Sequence, residues 1–391
     1  MQGTLRETDR TGWSPAIAFA VNGALYGSLL PRFPELADRV SASGSQFGLV
    51  LFGSAAGGLL GSLVAPLLIR LVRERHATAV AGIGYTVLAV AVASAPDLLV
   101  LGLALTLMGV FDGAHDVTMN AATVRVQQAR GVTLMGRMHA TWSLSLAAAG
   151  VLGTAAVSFG VPVPVHVGVV AAVALLPQLA AAAWLPLPDP PTSPDAPARP
   201  RGALRWHYAL PVLGLAALAA SYVESPGQEW TGLLLGRGLD ATPQGAAAAP
   251  VLFAGGLVAS RLVLDAAQQR FGAHRVAVCS GLTMVLALVA GLAAALLWSS
   301  PGWTLAAVTV AGIGAGPIFP LLFGAADQLS ARHGIPAART ASTVSALSRV
   351  GAISAPVVVG PLTEAYGMVT VLAVMVAGAA LVLIALPRAV S

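Results

Sequence analysis

Apolar runs of about 18–25 residues recur twelve times along this 391-residue chain, each long enough to cross a bilayer at about 1.5 Å of helical rise per residue. Nothing else in the sequence constrains the fold as much. In hydrocarbon every backbone N–H and C=O must be satisfied internally, so runs of this length predict helices packed in bundles: an all-α integral membrane protein. The runs lie at 13–36, 45–70, 77–95, 98–124, 135–159 and 164–186, then at 206–225, 243–268, 275–298, 303–328, 340–362 and 368–387. Only 9% of residues are charged, against about 25% in a soluble domain. The first run ends in Pro31-Arg32-Phe33-Pro34, not in a small-residue cleavage site, which predicts a retained span and not a signal peptide.

Between the sixth and seventh runs lies a proline-rich stretch too polar to span, 186–205. It divides the chain into an N-terminal six-helix bundle (1–187), a cytoplasmic linker (188–205) and a C-terminal six-helix bundle (206–391). All 21 basic residues are Arg, and they fall in short clusters between spans, which argues against a nucleic-acid patch. With twelve spans and a cytoplasmic N-terminus, sixteen arginines fall on the cytoplasmic side and only Arg39 and Arg237 outside, so both termini are expected in the cytoplasm. Six tryptophans (13, 184, 206, 230, 298 and 303) sit near predicted helix ends, as interfacial anchors do, whereas Trp142 sits within a span and is a candidate cavity wall. The single Cys279 excludes an intramolecular disulfide.

The halves repeat. At an offset of 200, Gly61, Ala65, Arg70 and Arg75 align with Arg261, Asp265, Arg270 and Arg275; at 203, Gly109 and Gly113 align with Gly312 and Gly316. Two related six-helix halves are a transporter signature, with the solute held near mid-membrane between them.

The fourth span carries two aspartates one turn apart, Asp112 and Asp116, with His115 and Asn120 beside them. A carboxylate at bilayer depth costs about 2.5–3.5 kcal/mol on insertion scales, so something must offset it. Positions 112, 115, 116, 119 and 120 fall within an arc of about 140° on one helix face. Withdrawal from water favours the neutral form of a carboxylic acid, which suits a group that must take up and release a proton; the competing reading is a structural network. His139, Trp142 and Ser143 share one turn of the fifth span, an arrangement suited to stacking on a sugar ring or another flat, partly polar ligand, or else to plain packing. Glu224 and Glu229 flank Pro226-Gly227 in the seventh span, and Arg32 lies between two prolines where it can pair with one of them to close an outer gate, or snorkel to the interface. Arg349 lies within the eleventh span, facing either an anionic substrate or a carboxylate such as Asp327 or Asp116. Arg261 and Asp265 are spaced as an i, i+4 pair and read as a latch. No Cys/His cluster has zinc spacing and no P-loop is present, so no metal, no cofactor, no enzymatic activity and no ATP-driven transport are expected.

The sequence resembles the major facilitator superfamily over its whole length, and within it the fucose-permease-like sugar:proton symporters and a related group of bacterial permeases. The residues that carry the likeness are Gly109, Asp116, Thr118, Met119 and Asn120; Met135, Gly136, His139, Trp142 and Ser143; Asn22 with Pro31-Arg32-Phe33-Pro34; and Glu224, Glu229 and Trp230. The resemblance implies a proton-coupling role for Asp116, four residues before Asn120, with Asp112 as its electrostatic neighbour. From the residues themselves, substrate contacts are expected among Asn22, His115, Asn120, His139, Trp142, Ser143, Glu224 and Arg349, and gating by Arg32, Glu229, Arg261 and Asp265. The family's loop motif is degenerate here: Ala65 stands where an Asp is usual, and Asp265 is kept without its leading Gly. The implied protein is a monomeric symporter of a small polar solute, sugar or polyol, in the bacterial cytoplasmic membrane, its partners being the solute, protons and the lipid bilayer. A proton-driven exporter of a metabolite or drug, and a non-transporting receptor, are the alternatives.

Overall fold

A computed structural model describes residues 2–132, 134–184, 209–333 and 337–390. Among them every regular element is helical: α1 (Gln2–Leu29), a 3-10 turn (Leu30–Arg32), α2 (Phe33–Arg39), α3 (Gly44–Ala93), α4 (Leu98–Arg130), α5 (Met135–Ser158) and α6 (Val163–Trp184). There follow α7 (Ala209–Glu229), the short α8 (Thr231–Leu233), a π turn (Leu234–Gly238), α9 (Pro243–Phe271), α10 (Ala273–Trp298), α11 (Pro301–Ala315), α12 (Ile318–His333), α13 (Ala337–Tyr366) and α14 (Thr370–Ala389). The expected linker 188–205 and Trp206 lie outside the described residues.

Nine helical stretches of the described residues are long and apolar enough to cross a bilayer. One is α3, which holds two of the expected spans on either side of a backbone break at Arg73 (φ 65°, ψ 155°). Another is Pro301–Arg332, in which α11 and α12 meet at Gly316-Pro317. The first and seventh expected spans are α1 and α7, whose apolar runs are diluted by Asn22 and Tyr26 in one and by Tyr222 and Glu224 in the other. Polar caps mark several boundaries. Ser43 and Gln46 form a reciprocal capping box at the start of α3, Asp97 accepts from the Val100 N–H (2.9 Å) at the start of α4, and α4 ends on Gly131 at φ 64°.

The chain forms two compact units, 1–187 with 241–251, and 188–240 with 252–391. The first turns of α9 therefore group with the first unit. In that unit, α3 and α4 approach until only glycine fits: a Cβ on Gly57 or Gly61 would meet the carbonyls of Thr106 or Val110, and one on Gly109 or Gly113 those of Ser54 or Gly58. The second unit repeats the contact between α9 and α11. A Cβ on Gly256 would meet the Thr309 carbonyl, one on Gly312 that of Phe253, and one on Gly316 that of Leu257. Measured by these contacts, α4 and α11 correspond at the expected offset of 203, but α3 and α9 correspond at 199, one residue from the register of the loop arginines. Long arginine side chains reach an interface from neighbouring positions, whereas a backbone-to-backbone contact allows no slip.

Trp13, Trp298 and Trp303 are exposed as expected of interfacial anchors, but Trp230 is completely buried and serves as core.

Candidate functional site

The polar face of α4 meets α1, α5 and α6 within the first unit. Asn22 of α1 is the hub, 4% exposed. An indole N–H can only donate, so the Trp142 Nε1 bond to Asn22 Oδ1 (2.7 Å) fixes which way the amide faces. Asn22 Nδ2 is then turned to α4, where it donates to Asp112 Oδ1 (2.7 Å) and lies 3.4 Å from His115 Nδ1. His115 is fully buried, and on its far side Nε2 sits 3.0 Å from the Gln178 amide of α6. Gln178, itself fully buried, also donates to the Thr78 carbonyl of α3 (3.3 Å). A chain of polar contacts thus runs from α5 through α1 and α4 to α6 and α3.

The two aspartates of the sequence reading separate here. Asp112 is bonded across helices to α1, whereas Asp116 is bonded along its own helix: Asn120 Nδ2 donates to Asp116 Oδ1 (2.9 Å) and to the Asp116 carbonyl (2.8 Å). Both carboxylates and Asn120 are half-buried. Trp142 leans on a cluster of Ala18, Phe19, Met119 and Met138 and stays half-buried, so it has an apolar body and a tethered polar edge. His139, one turn earlier, is exposed and meets the Phe19 ring edge-on at 5.3 Å; Ser143 is half-buried beside Trp142.

The expected gate residues are held differently from the expectation. Arg32, 1% exposed, donates to Glu35 (2.8 Å), to the Val161 carbonyl (3.0 Å) and to His166 Nδ1 (3.4 Å), all inside the first unit. Glu229 instead accepts from Ser225 of its own helix (2.7 Å). In the second unit, Arg261 Nη2 pairs with Glu224 (2.9 Å) and its Nε donates to the Gly316 carbonyl (3.0 Å) at the α11–α12 bend. Arg261 turns away from Asp265, which is exposed. An exposed i, i+4 pair is worth only a few tenths of a kcal/mol, and a carboxylate 19% exposed on a neighbouring helix outcompetes it. Arg349, read as a buried cation, is exposed on α13, as is Asp327 on α12.

Three groups escaped the sequence reading. Gln178 is a lone amide inside an apolar helix, and that isolation is the signal it offered. His166 opens α6 and receives Arg32. Glu74, 9% exposed next to the Arg73 break, forms an ion pair with Arg125 of α4. Ala65, which stands where an aspartate was expected, is fully buried against Ala81 and Ala114.

The family model of the Major Facilitator Superfamily matches residues 16–338, most of the chain. The chain belongs to this superfamily. A relative from Sinorhizobium fredii (strain NBRC 101917 / NGR234), named an uncharacterized transporter, y4wD, is 27% identical over 360 residues, covering 90% of this chain and 91% of its own. The membrane protein MosC of Rhizobium meliloti is 23% identical over 357 residues, covering 90% and 84%. Among solved structures, the nucleoside transporter NupG superposes with a TM-score of 0.71 at 14% identity, over 97% of this chain and 98% of its own. A bacterial homolog of the human lysosomal transporter Spinster, inward-facing and unoccupied, superposes at 0.72 and 15% identity, over 98% of both chains. At such identities these two likenesses speak for the fold alone. This superfamily member is a multi-pass membrane transporter, all-α, built of two six-helix bundles.

Proposed function

We propose that this transporter takes up a small polar solute, of the sugar or polyol class, by proton symport across the bacterial cytoplasmic membrane, the two bundles alternating in access. The observation that carries the reading is Asn22, which joins a carboxylate to the indole of Trp142 through one amide. A neutral Asp112 still accepts from Asn22 but more weakly than a carboxylate does, so a proton arriving there loosens the amide that holds Trp142. Trp142, with His139 and Ser143 on its own turn of α5 and Asn120 next to Met119 of α4, in the cluster against which it packs, is the stacking surface for the solute ring. Asp116 and Asp112, one turn apart on α4, act together, and Asp112 passes the change to α1 and α5 through Asn22. Glu224, Arg261 and the α11–α12 bend belong to the moving parts of the second unit, and Arg32 to those of the first.

A proton moving down the membrane potential releases about 2.3 kcal/mol per 100 mV, enough to concentrate a neutral solute many-fold. The test is uptake of a panel of radiolabelled sugars and polyols into right-side-out vesicles with an imposed inward proton gradient. Accumulation of at least one solute, abolished by a protonophore, is expected. Accumulation only under an outward gradient would mean export, and no gradient dependence for any transported solute would end the symport reading.

A further inference from the structure

The second unit carries on its surface a groove of about 370 Å³ between α9 and α10, floored by Ile313, Gly314 and Pro317 at the α11–α12 bend. Its walls are apolar and open: Val263, Phe271 and Ile313 are 60%, 52% and 43% exposed. One charged side chain lines it, Arg275, at the end where α9 turns into α10 through Gly272 (φ 81°). Arg270 stands beside that mouth with its guanidinium 5.5 Å from the Phe271 ring centroid. Asp265 is an acidic neighbour on α9 but does not line the groove. From Arg275 to Thr283 the wall runs two helical turns, about 12 Å.

We propose that this groove binds a phospholipid with an anionic headgroup, phosphatidylglycerol being the simplest, its phosphate on Arg275 and one acyl chain lying along α10. The argument is charge complementarity combined with shape. An apolar trough open between two helices long and apolar enough to span a bilayer fits acyl chains, and a single cationic group at one end adds selection among headgroups. The charge bias of the loops puts this mouth at the cytoplasmic leaflet, where anionic lipid is the available counter-charge. A larger groove in the first unit, about 510 Å³ between α1, α5 and α6, shows what is missing without the arginine: Ser145 is its one polar lining residue, so it offers acyl chains a surface and headgroups nothing to choose by. The groove in the second unit also contains its own reporter, because the chain's single cysteine, Cys279, is exposed within it.

The experiment is native mass spectrometry of the full-length purified transporter, titrated with phosphatidylglycerol or phosphatidylcholine of identical chains. Phosphatidylglycerol should be retained more tightly by about fivefold, the weight of one basic side chain at an anionic interface. Arg275→Gln should remove most of that preference and Arg275→Lys keep it. Independently of any substitution, alkylating Cys279 with a bulky maleimide should block the phosphatidylglycerol adduct. Equal retention of the two lipids, a preference unchanged in Arg275→Gln, or an adduct indifferent to the Cys279 label would each overturn the proposal.

Discussion

Each unit places a carboxylate on a transmembrane helix and holds it through another helix, but with opposite partners. In the first, Asp112 is held by an amide, and the bonds run on from it through uncharged side chains: the Trp142 indole, the His115 imidazole and the Gln178 amide. In the second, Glu224 is held by a guanidinium that is itself tied to the Gly316 carbonyl. The difference is one of charge bookkeeping. A proton added to Asp112 strands no cation among the side chains bonded to it, whereas a proton added to Glu224 leaves Arg261 uncompensated in a site where it is one-third exposed. An amide-held acid is suited to gaining and losing a proton through a transport cycle. An arginine-held acid is suited to fastening helices and a bend.

The comparison predicts its largest effect on stability. Glu224→Gln should lower the unfolding free energy in detergent by about 3 kcal/mol, the low end for breaking a buried pair because Arg261 retains some solvent. Adding Arg261→Met should recover most of it. Asp112→Asn should cost no more than about 1 kcal/mol, since an amide oxygen still accepts from Asn22. Similar losses for the two single variants, by thermal melting, would erase the distinction. Next come the glycine contacts that the units share. Gly109→Ala and Gly312→Ala should each cost about 1–3 kcal/mol, as overpacking does. A loss at one position alone would mean that the repeat does not extend to packing.

A smaller effect is expected at Trp142, the proposed solute surface. Trp142→Phe keeps the ring but loses the Asn22 bond, so the half-saturating solute concentration should rise about fivefold, the weight of one hydrogen bond of about 1 kcal/mol. An unchanged value would detach Trp142 from the site. The smallest belongs to Asp265→Asn, which should move the melting free energy by less than about 0.5 kcal/mol because Arg261 pairs elsewhere. A loss as large as that of Glu224→Gln would restore the i, i+4 latch.

The fold was legible because apolar run length is a direct consequence of bilayer thickness, and the glycine repeat because close helix approach leaves no other residue possible. Asp112 and Asp116 were legible for a related reason: their cost in hydrocarbon makes them conspicuous. What the sequence could not display was partnership between helices. Spacing along one helix suggested Arg261 with Asp265, while the real partner, Glu224, lies 37 positions earlier. Arg32 suggested either a distant glutamate or snorkelling, and Glu35, three residues on, with which it pairs, was overlooked. Gln178 went unnoticed because one amide in an alanine- and leucine-rich helix has no periodic signature; only a buried imidazole across from it gives it meaning. The twin aspartates looked alike in sequence, and the side chains that face them from α1 and from α4 itself set them apart.

The central claim is that proton coupling passes through Asp112 and Asn22 to the solute surface. It is tested most directly in proteoliposomes by comparing gradient-driven accumulation with counterflow for Asp112→Asn, using a solute that the wild-type protein accumulates. The account predicts that accumulation against a gradient disappears while counterflow exchange persists, because the path for the solute remains and the proton's does not. Normal proton-driven accumulation by Asp112→Asn would contradict it.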